Sequence, residues 1–318
     1  MSVRSEDVAR EVGVSRATVS QILNGRGERF AETTRQKVLA TAQRLGYRPS
    51  VAARTLATGT SDIVVVLLPF THLSGNLQAV LERATIALAE HGITLVLRQH
   101  APGTTTLAQA VQSLRPRAVF SLEALTPDQI SVLEKAGVPH SGPTVSDEVD
   151  FGFDRMIGRA QANHLASRGF TRLAFIQLDD ERFETWAPPR EQGVREVAAD
   201  LGLAEPLSLR ARLEQSSLSA TITAIPPHTG VACYNDDLAL ALMGAARIAG
   251  REIPRDLGFI GMDASPLGAC FFPALTSIRI DIAAAAANMI EGLLATARAD
   301  GAPAPRPVAL TVVERASS

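Results

Sequence analysis

Gly13-Val14-Ser15-Arg16-Ala17-Thr18-Val19-Ser20 is the stretch from which the rest of the chain can be read. Just upstream, Ser5-Glu6-Asp7-Val8-Ala9-Arg10-Glu11-Val12 predicts a short helix. Ser5 offers a hydroxyl N-cap, acids fill the first turn, and apolar residues stand at 8, 9 and 12. Gly13 supplies a turn, because a residue without Cβ tolerates positive φ. Ser15 then caps a second helix that runs to about Leu23, with Val19, Ile22 and Leu23 inward. Two short helices about a tight turn form a helix-turn-helix, whose second helix is sized for the DNA major groove. Alone, the pattern would fit an ordinary helical hairpin equally well.

A third amphipathic helix follows at Glu32–Leu45, with Val38, Leu39, Ala42 and Leu45 expected inward and Gly46 ending it. Next comes Tyr47-Arg48-Pro49-Ser50-Val51-Ala52-Ala53-Arg54-Thr55-Leu56. The run as a whole resembles the N-terminus of the lactose-repressor (LacI/GalR) family of transcription regulators. The resemblance is carried by Val8-Ala9, Gly13 to Ser20, Leu23-Asn24-Gly25, Thr34-Arg35, Val38, Leu45 to Pro49, and Ala53-Arg54-x-Leu56.

Position on the second helix makes Arg16, Ala17 and Gln21 candidates for base edges. Arg16 suits bidentate pairing with guanine, and Ala17 suits contact with a thymine methyl. The resemblance implies that Ser15, Thr18, Ser20 and Asn24 hold phosphates, although capping and packing would also account for Thr18 and Ser20. Ser50 to Ala57 resembles the family's hinge helix. About eight residues is too short for stable helix in isolation, so the segment should fold when two copies meet on DNA. Ala53 and Leu56 would then face the minor groove, with Leu56 as an apolar wedge that kinks a base step. A plain linker with a buried leucine is the alternative. One departure is Ala31, where the family has a capping serine; Thr33 offers a start two residues later.

At 318 residues, two or three folding units are expected. A composition of 46% apolar and 20% charged residues is that of a soluble globular protein. No apolar run approaches the roughly 18 residues that span a bilayer, and Met1 to Asp7 has no hydrophobic core of a secretory signal. A cytoplasmic protein without membrane contact is expected. Cys233 and Cys270 read as buried free thiols, and the six histidines are scattered, so neither metal nor cofactor is expected. The net charge of −2 conceals an asymmetry: residues 1–60 hold ten Arg and Lys against five acids, a net of +5, and the remainder nets −7. A basic head on an acidic body suits a phosphate-binding module attached to a separate core.

From Asp62 the pattern alternates between strands and helices. Ile63-Val64-Val65-Val66-Leu67-Leu68 reads as a strand buried on both faces of a parallel sheet. The strand–helix alternation restarts after Gly169, which predicts two doubly wound lobes. The expected fold class is α/β: a three-helix helix-turn-helix head (1–49), a hinge helix or linker (50–60), and two lobes. The first lobe takes 61–169 and 280–303, and the second takes 170–279 and 304–318. The lobes resemble the periplasmic-binding-protein-like core of the same family at Asp154, His164-Leu165, Arg190-Glu191-Gln192-Gly193, Asn235-Asp236 and Ile253 to Asp263.

Ligands of such folds sit at the carboxyl ends of strands, in the cleft between lobes. Asn235 and Asp263 fall just past expected strand ends, where an amide and a carboxylate suit hydroxyls or ring nitrogens. Resemblance adds Arg190. Capping of the next helix by Asp236 and a surface ion pair for Arg190 are the bland readings. In the first lobe an Asn-Pro-Phe segment of the family is replaced by Pro69-Phe70-Thr71-His72, leaving Phe70 and His72 as candidate effector contacts. A Gly-rich turn after the strand at 172–176 is replaced by Gln177-Leu178-Asp179-Asp180-Glu181, read as a solvated loop.

The resemblance implies a homodimeric repressor on a near-palindromic double-stranded DNA operator, gated by a small-molecule effector of sugar type, with nucleobases second. A constitutive DNA-binding regulator with a ligand-free cleft is the alternative. Transport protein and enzyme are disfavoured by the DNA-binding head and by the missing nucleophile–base spacing. Leu56→Ala is expected to weaken operator binding and reduce DNA bending while the dimer persists, as read by circularly permuted gel-shift probes; unchanged bending removes the wedge role.

Overall fold

Val8, Ala9, Val19, Ile22, Val38 and Ala42 are buried together, and they pack three helices into the head. In the computed structural model, residues 3–23, 27–47, 60–70, 73–99, 106–143, 152–300 and 304–318 are described. The head helices are α1 (Ser5–Val12), α2 (Arg16–Leu23) and α3 (Glu32–Arg44). Gly13 takes the left-handed conformation, with φ of 78°.

Three local expectations are corrected here. Arg4, not Ser5, caps α1, with its backbone N–H donating to the Asp7 carboxylate at 2.9 Å. Helix α3 begins at Glu32 behind Ala31 without any side-chain cap, so the later start at Thr33 does not occur. Leu39 is 44% exposed. One residue along a helix rotates by about 100°, which turns Leu39 away from the stripe of Val38 and Ala42.

The first lobe is a parallel sheet in the order β2-β1-β3-β4, built from β1 (Ile63–Leu68), β2 (Thr94–Gln99), β3 (Ala118–Ser121) and β4 (His140–Ser141). Val64 lies opposite Leu95 on one side and Ala118 on the other, so β1 is central and buried along its length. Helices α4 (Gly75–Glu90), α5 (Leu107–Leu114) and α6 (Pro127–Lys135) connect the strands. Hydroxyl caps at Ser74, Thr106 and Thr126 start all three.

The second lobe is larger, a six-stranded sheet in the order β10-β9-β8-β7-β5-β6. Its strands are β5 (Arg172–Leu178), β6 (Leu207–Ala211), β7 (Thr229–Cys233), β8 (Leu257–Met262), β9 (Thr276–Ile280) and β10 (Leu310–Val313). Only β10 runs antiparallel, against β9. The helices are α7 (Gly152–Ser167), α8 (Ala187–Asp200), α9 (Gln215–Ala224), α10 (Asp236–Ile248), the short α11 (Pro266–Cys270) and α12 (Ile282–Arg298). Helix α12 returns to the first lobe, where Ala286, Met289 and Leu293 share a core with Val64, Val66 and Leu68.

Two further expectations give way. Helix α7, in the span assigned to the first lobe, packs with the second instead, burying Ile157, Ala162 and Leu165 among Phe175, Val194 and Val231. Strand β6 and helix α9, whose residues show neither clean alternation nor a strong apolar stripe, were not foreseen as elements. Of the thiols, Cys233 is buried and Cys270 exposed; burial pushes the Cys233 thiol well up.

The contact that fixes α7 against α8 is made by glycines. A Cβ on Gly158 would stand 1.9 Å from the Arg190 carbonyl oxygen, and one on Gly193 would stand 2.1 Å from the Arg155 carbonyl oxygen. The helices touch backbone to backbone. Gly193→Ala is therefore expected to destabilise the protein by about 1–3 kcal/mol or more, since overpacking forces the helices apart. Chemical denaturation measures this, and an unchanged midpoint would show that the crossing tolerates separation.

Candidate functional site

In the head, the α2 start presents the expected residues. The Thr18 backbone N–H donates to Ser15 Oγ at 3.0 Å, and the two hydroxyls lie 2.9 Å apart. Ser15 is thus first of all the N-cap that sets the pitch of α2. Arg16, Ala17 and Ser20 are exposed, Thr18 half-buried. Arg16 Nη1 reaches Glu6 Oε1 of α1 at 3.1 Å. A pair this exposed is held weakly and can be exchanged for a DNA acceptor. Gln21 accepts from Arg29, whose guanidinium lies 5.1 Å over the Phe30 ring. Arg29 was not singled out from sequence, because it stands in a connecting segment without periodicity. Asn24, Ala53 and Leu56 lie outside the described residues.

Between the lobes, at the carboxyl ends of β7, β8 and β9, is a cavity of about 190 Å³. Three of the expected effector residues, Arg190, Asn235 and Asp263, line it. Phe70 is half-buried and is not among the lining residues; His72 lies outside the described ones. The first lobe contributes Ser74, Asn76, Leu77 and Val80 from the start of α4 instead. The second lobe adds Phe153, Asp154 and Ile157 from α7, Trp186 from the approach to α8, and Tyr234.

Arg190 holds this wall together. Its Nε donates to Asp154 Oδ1 at 2.8 Å, and its Nη1 donates to the Tyr234 carbonyl at 2.8 Å. The guanidinium carbon lies 4.4 Å over the Tyr234 ring, and Phe183 meets that ring edge-on at 5.1 Å. Burial pushes the Asp154 carboxyl up, and the arginine draws it back. The surface ion pair weighed for Arg190 is therefore an internal one, aimed at the cleft.

Asn235 has a double role. Its Oδ1 accepts from the Leu238 N–H at 3.0 Å, capping α10, which leaves the Nδ2 amide for a ligand. Asp236 does not cap. It is buried, and its carboxylate accepts from Ser277 Oγ and from the Ser265 N–H, each at 2.6 Å. Gly261 makes room, since a Cβ there would stand 2.1 Å from Asp236 Oδ1.

This bracing supports an unusual turn: Asp263 and Ala264 take φ of 111° and 48°, a left-handed region costly for non-glycine residues. Asp263 Oδ1 accepts from Asn76 Nδ2 at 2.9 Å, a hydrogen bond from one lobe to the other. Burial pushes the Asp263 carboxyl up to about 7, against the pull of Arg190 and with the push of Asp236 and Asp237.

A polar groove of about 440 Å³ adjoins the cavity and shares Asn235 with it. Its wall is the segment read from sequence as a solvated loop. Asp179, Glu181 and Glu184 are solvent-exposed as expected, and several of the acids there also make surface ion pairs: Asp179 with Arg212 at 2.9 Å, Asp180 with Arg182, and Glu184 with Arg210. Among the described residues there is no group of three or more His, Cys, Asp and Glu placed to hold a metal, and no helix long and apolar enough to cross a membrane.

A three-helix head joined to two α/β lobes with a cleft at their seam defines a class of bacterial regulator, and comparison with known proteins agrees. The lacI family of bacterial regulatory proteins matches residues 6–50, and the periplasmic binding protein-like domain matches 162–318. The transcriptional regulator MalR of Streptomyces coelicolor is 31% identical over 332 residues, covering 96% of this chain and 92% of that protein. The regulator reg1 of Streptomyces lividans is 30% identical with the same coverage.

Among solved structures, the lac repressor dimer bound to operator and the anti-inducer ONPF superposes with a TM-score of 0.78 at 20% identity, over 100% of this chain and 99% of that one. The regulator CelR in complex with cellobiose superposes at 0.66 and 22% identity, over 99% and 100%. Both structures show the shared fold. The chain belongs to the LacI family; it is a DNA-binding transcription regulator and not an enzyme.

Two substitutions test the geometry. Arg16→Ala is expected to relax base preference at one position per half-site, at about 1–3 kcal/mol. Equal losses on specific and random DNA in fluorescence anisotropy would assign Arg16 to phosphate instead. Asp154→Ala strands the buried Arg190 and is expected to cost about 3–5 kcal/mol in a denaturation midpoint. A loss under 1 kcal/mol would mean that water reaches the guanidinium.

Proposed function

We propose that the protein is a homodimeric repressor whose hold on a near-palindromic operator is gated by a sugar-type effector bound between the lobes. One observation carries this reading: the interlobe cavity combines aromatic walls with polar groups from both sides of the seam. Phe153, Trp186 and Tyr234 line it with aromatic surface suited to the C–H face of a pyranose, while Asn235 and Asp263 are set for hydroxyls. The volume, about 190 Å³, is below the roughly 300–1,000 Å³ of sites for drug-sized ligands, and suits one sugar ring. Two similar proteins are consistent with it by name: the solved CelR is a complex with cellobiose, and the solved lac repressor is a dimer on operator.

An apolar corner of the second lobe supports self-association. Ile248 is 74% exposed, Leu267 68% and Phe272 78%, and Arg247 ties the end of α10 to this corner by donating to the Phe272 carbonyl at 2.7 Å. In a homodimer two α2 helices would read half-sites about a whole number of DNA turns apart. In this reading 1–49 is the head and 50–60 the hinge. Ser15, Arg16, Ala17, Thr18, Ser20, Gln21, Asn24, Ala53 and Leu56 face DNA, and the protein works in the cytoplasm. The effector acts by favouring one lobe arrangement over the other, and the hinge pair reports which.

A second reading is favoured by one observation. The lobes are already joined through Asn76 and Asp263, and among the described residues the first lobe brings no aromatic side chain to the cavity. A constitutive regulator would look the same. Fluorescence anisotropy on DNA from upstream of the gene, across salt and with a panel of sugars and nucleobases, separates the two. Selective binding altered by one compound, which also raises the melting temperature, supports the gated repressor. Selective binding that no compound alters supports the constitutive one.

A further inference from the structure

We propose that the cleft takes an uncharged, hydroxyl-rich sugar and rejects sugar phosphates and sugar acids. The inference rests on the effector-gated reading above and specifies its ligand.

The charges around the cleft do not balance. Across the cavity and the adjoining groove, six lining acids face three lining arginines, with no lysine or histidine among the described lining residues. Each arginine already has a carboxylate: Arg190 holds Asp154, Arg182 holds Asp180, and Arg212 holds Asp179. Arg190, the one cation in the cavity itself, also donates to the Tyr234 carbonyl and lies on the Tyr234 ring. The acids left over are Asp263, Glu214 and Asp237. An incoming phosphate or carboxylate therefore meets unbalanced negative charge in a site screened less than bulk water.

Asp263 is the group that would touch the ligand. Its Oδ1 accepts from Asn76, and among the described residues Oδ2 has no partner. Once ionised, above about pH 7, a carboxylate so placed accepts from sugar hydroxyls and repels anions. The groups facing it are Arg190 on α8, Tyr234 at the end of β7, Asp236 and Asp237 on α10, and Asn76 on α4. Burial pushes the carboxyl up to about 7, against the pull of Arg190 and with a lesser push from Asp236 and Asp237. Hydroxyl donors favour its ionised form. A neutral sugar should therefore displace a proton on binding, with affinity rising up to about tenfold per pH unit below 7 and levelling off above.

The test uses the full chain and matched compounds: glucose, galactose, maltose and cellobiose against glucose 6-phosphate, gluconate and glucuronate, by thermal shift and calorimetry at pH 6 to 8. A neutral sugar is expected to raise the melting temperature while its anionic counterparts do not. Asp263→Asn keeps an acceptor for Asn76 but removes the charge. It is expected to flatten the pH dependence of binding, and to raise the melting temperature of the ligand-free protein more at pH 8 than at pH 5. An anionic sugar binding as well as its neutral counterpart overturns the inference and leaves the gated repressor standing. So does Asp263→Asn melting no higher than the parent at pH 8, which would show the charge to be compensated. A panel in which no compound shifts melting removes the gated reading, and this inference with it.

Discussion

The buried ion pair between Arg190 and Asp154 is the constraint on which the cleft depends. Taking both charges out of water is expensive, and the cost is recovered only if every donor and acceptor is placed well. Here the placement comes from the backbone. Gly158 and Gly193 let α7 and α8 touch without side chains between them, which brings residues from two helices to 2.8 Å. The same guanidinium reaches the last strand of the cleft wall through the Tyr234 carbonyl and ring. Helix crossing, ion pair and aromatic wall thus form one unit, and loosening any part moves the others.

Around that rigid half, the opposite lobe is joined at the cavity by a lighter contact. Among the described residues, an amide–carboxyl hydrogen bond from Asn76 to Asp263 bridges the seam at the cavity. Asp263 sits in a left-handed turn braced from behind by Asp236, Ser265 and Ser277. One wall is therefore preorganised, and the hydrogen bond across it is of modest strength. A small ligand that adds a few contacts on both sides has enough free energy to shift such an equilibrium.

The head is organised by different physics. Its core is six small buried side chains, and its exposed face is held by weak surface pairs such as Arg16 with Glu6. Those pairs keep the basic side chains ordered without committing them, which suits a surface that exchanges carboxylates for phosphates. The excess positive charge lies within residues 1–60 and the excess negative charge beyond, so long-range attraction to DNA acts mainly on the part that reads it.

Local chemistry made the head and the order of strands and helices legible. The α2 cap, the turn at Gly13 and the β-branched run of β1 are each set by residues within a few positions of one another, and so they can be read in line. Arg190, Asn235 and Asp263 were legible as cleft residues because strand ends of parallel sheets point their loops at ligands. What sequence could not show is held by contacts far apart in the chain. Phe70 was expected in the cleft, and the first lobe instead brings Ser74, Asn76, Leu77 and Val80 there, around the start of α4. Helix α7 belongs with the second sheet because Gly158 meets Arg190, 32 positions on. The loop acids at 179 and 180 are paired because Arg212 and Arg182 reach them. The sequence by itself determined the helix-turn-helix, the alternation of the core and the charge of each part, all of them local or additive properties. The tertiary structure alone decided which charges are balanced and which lobe each connecting helix joins, since both depend on side chains meeting across the fold.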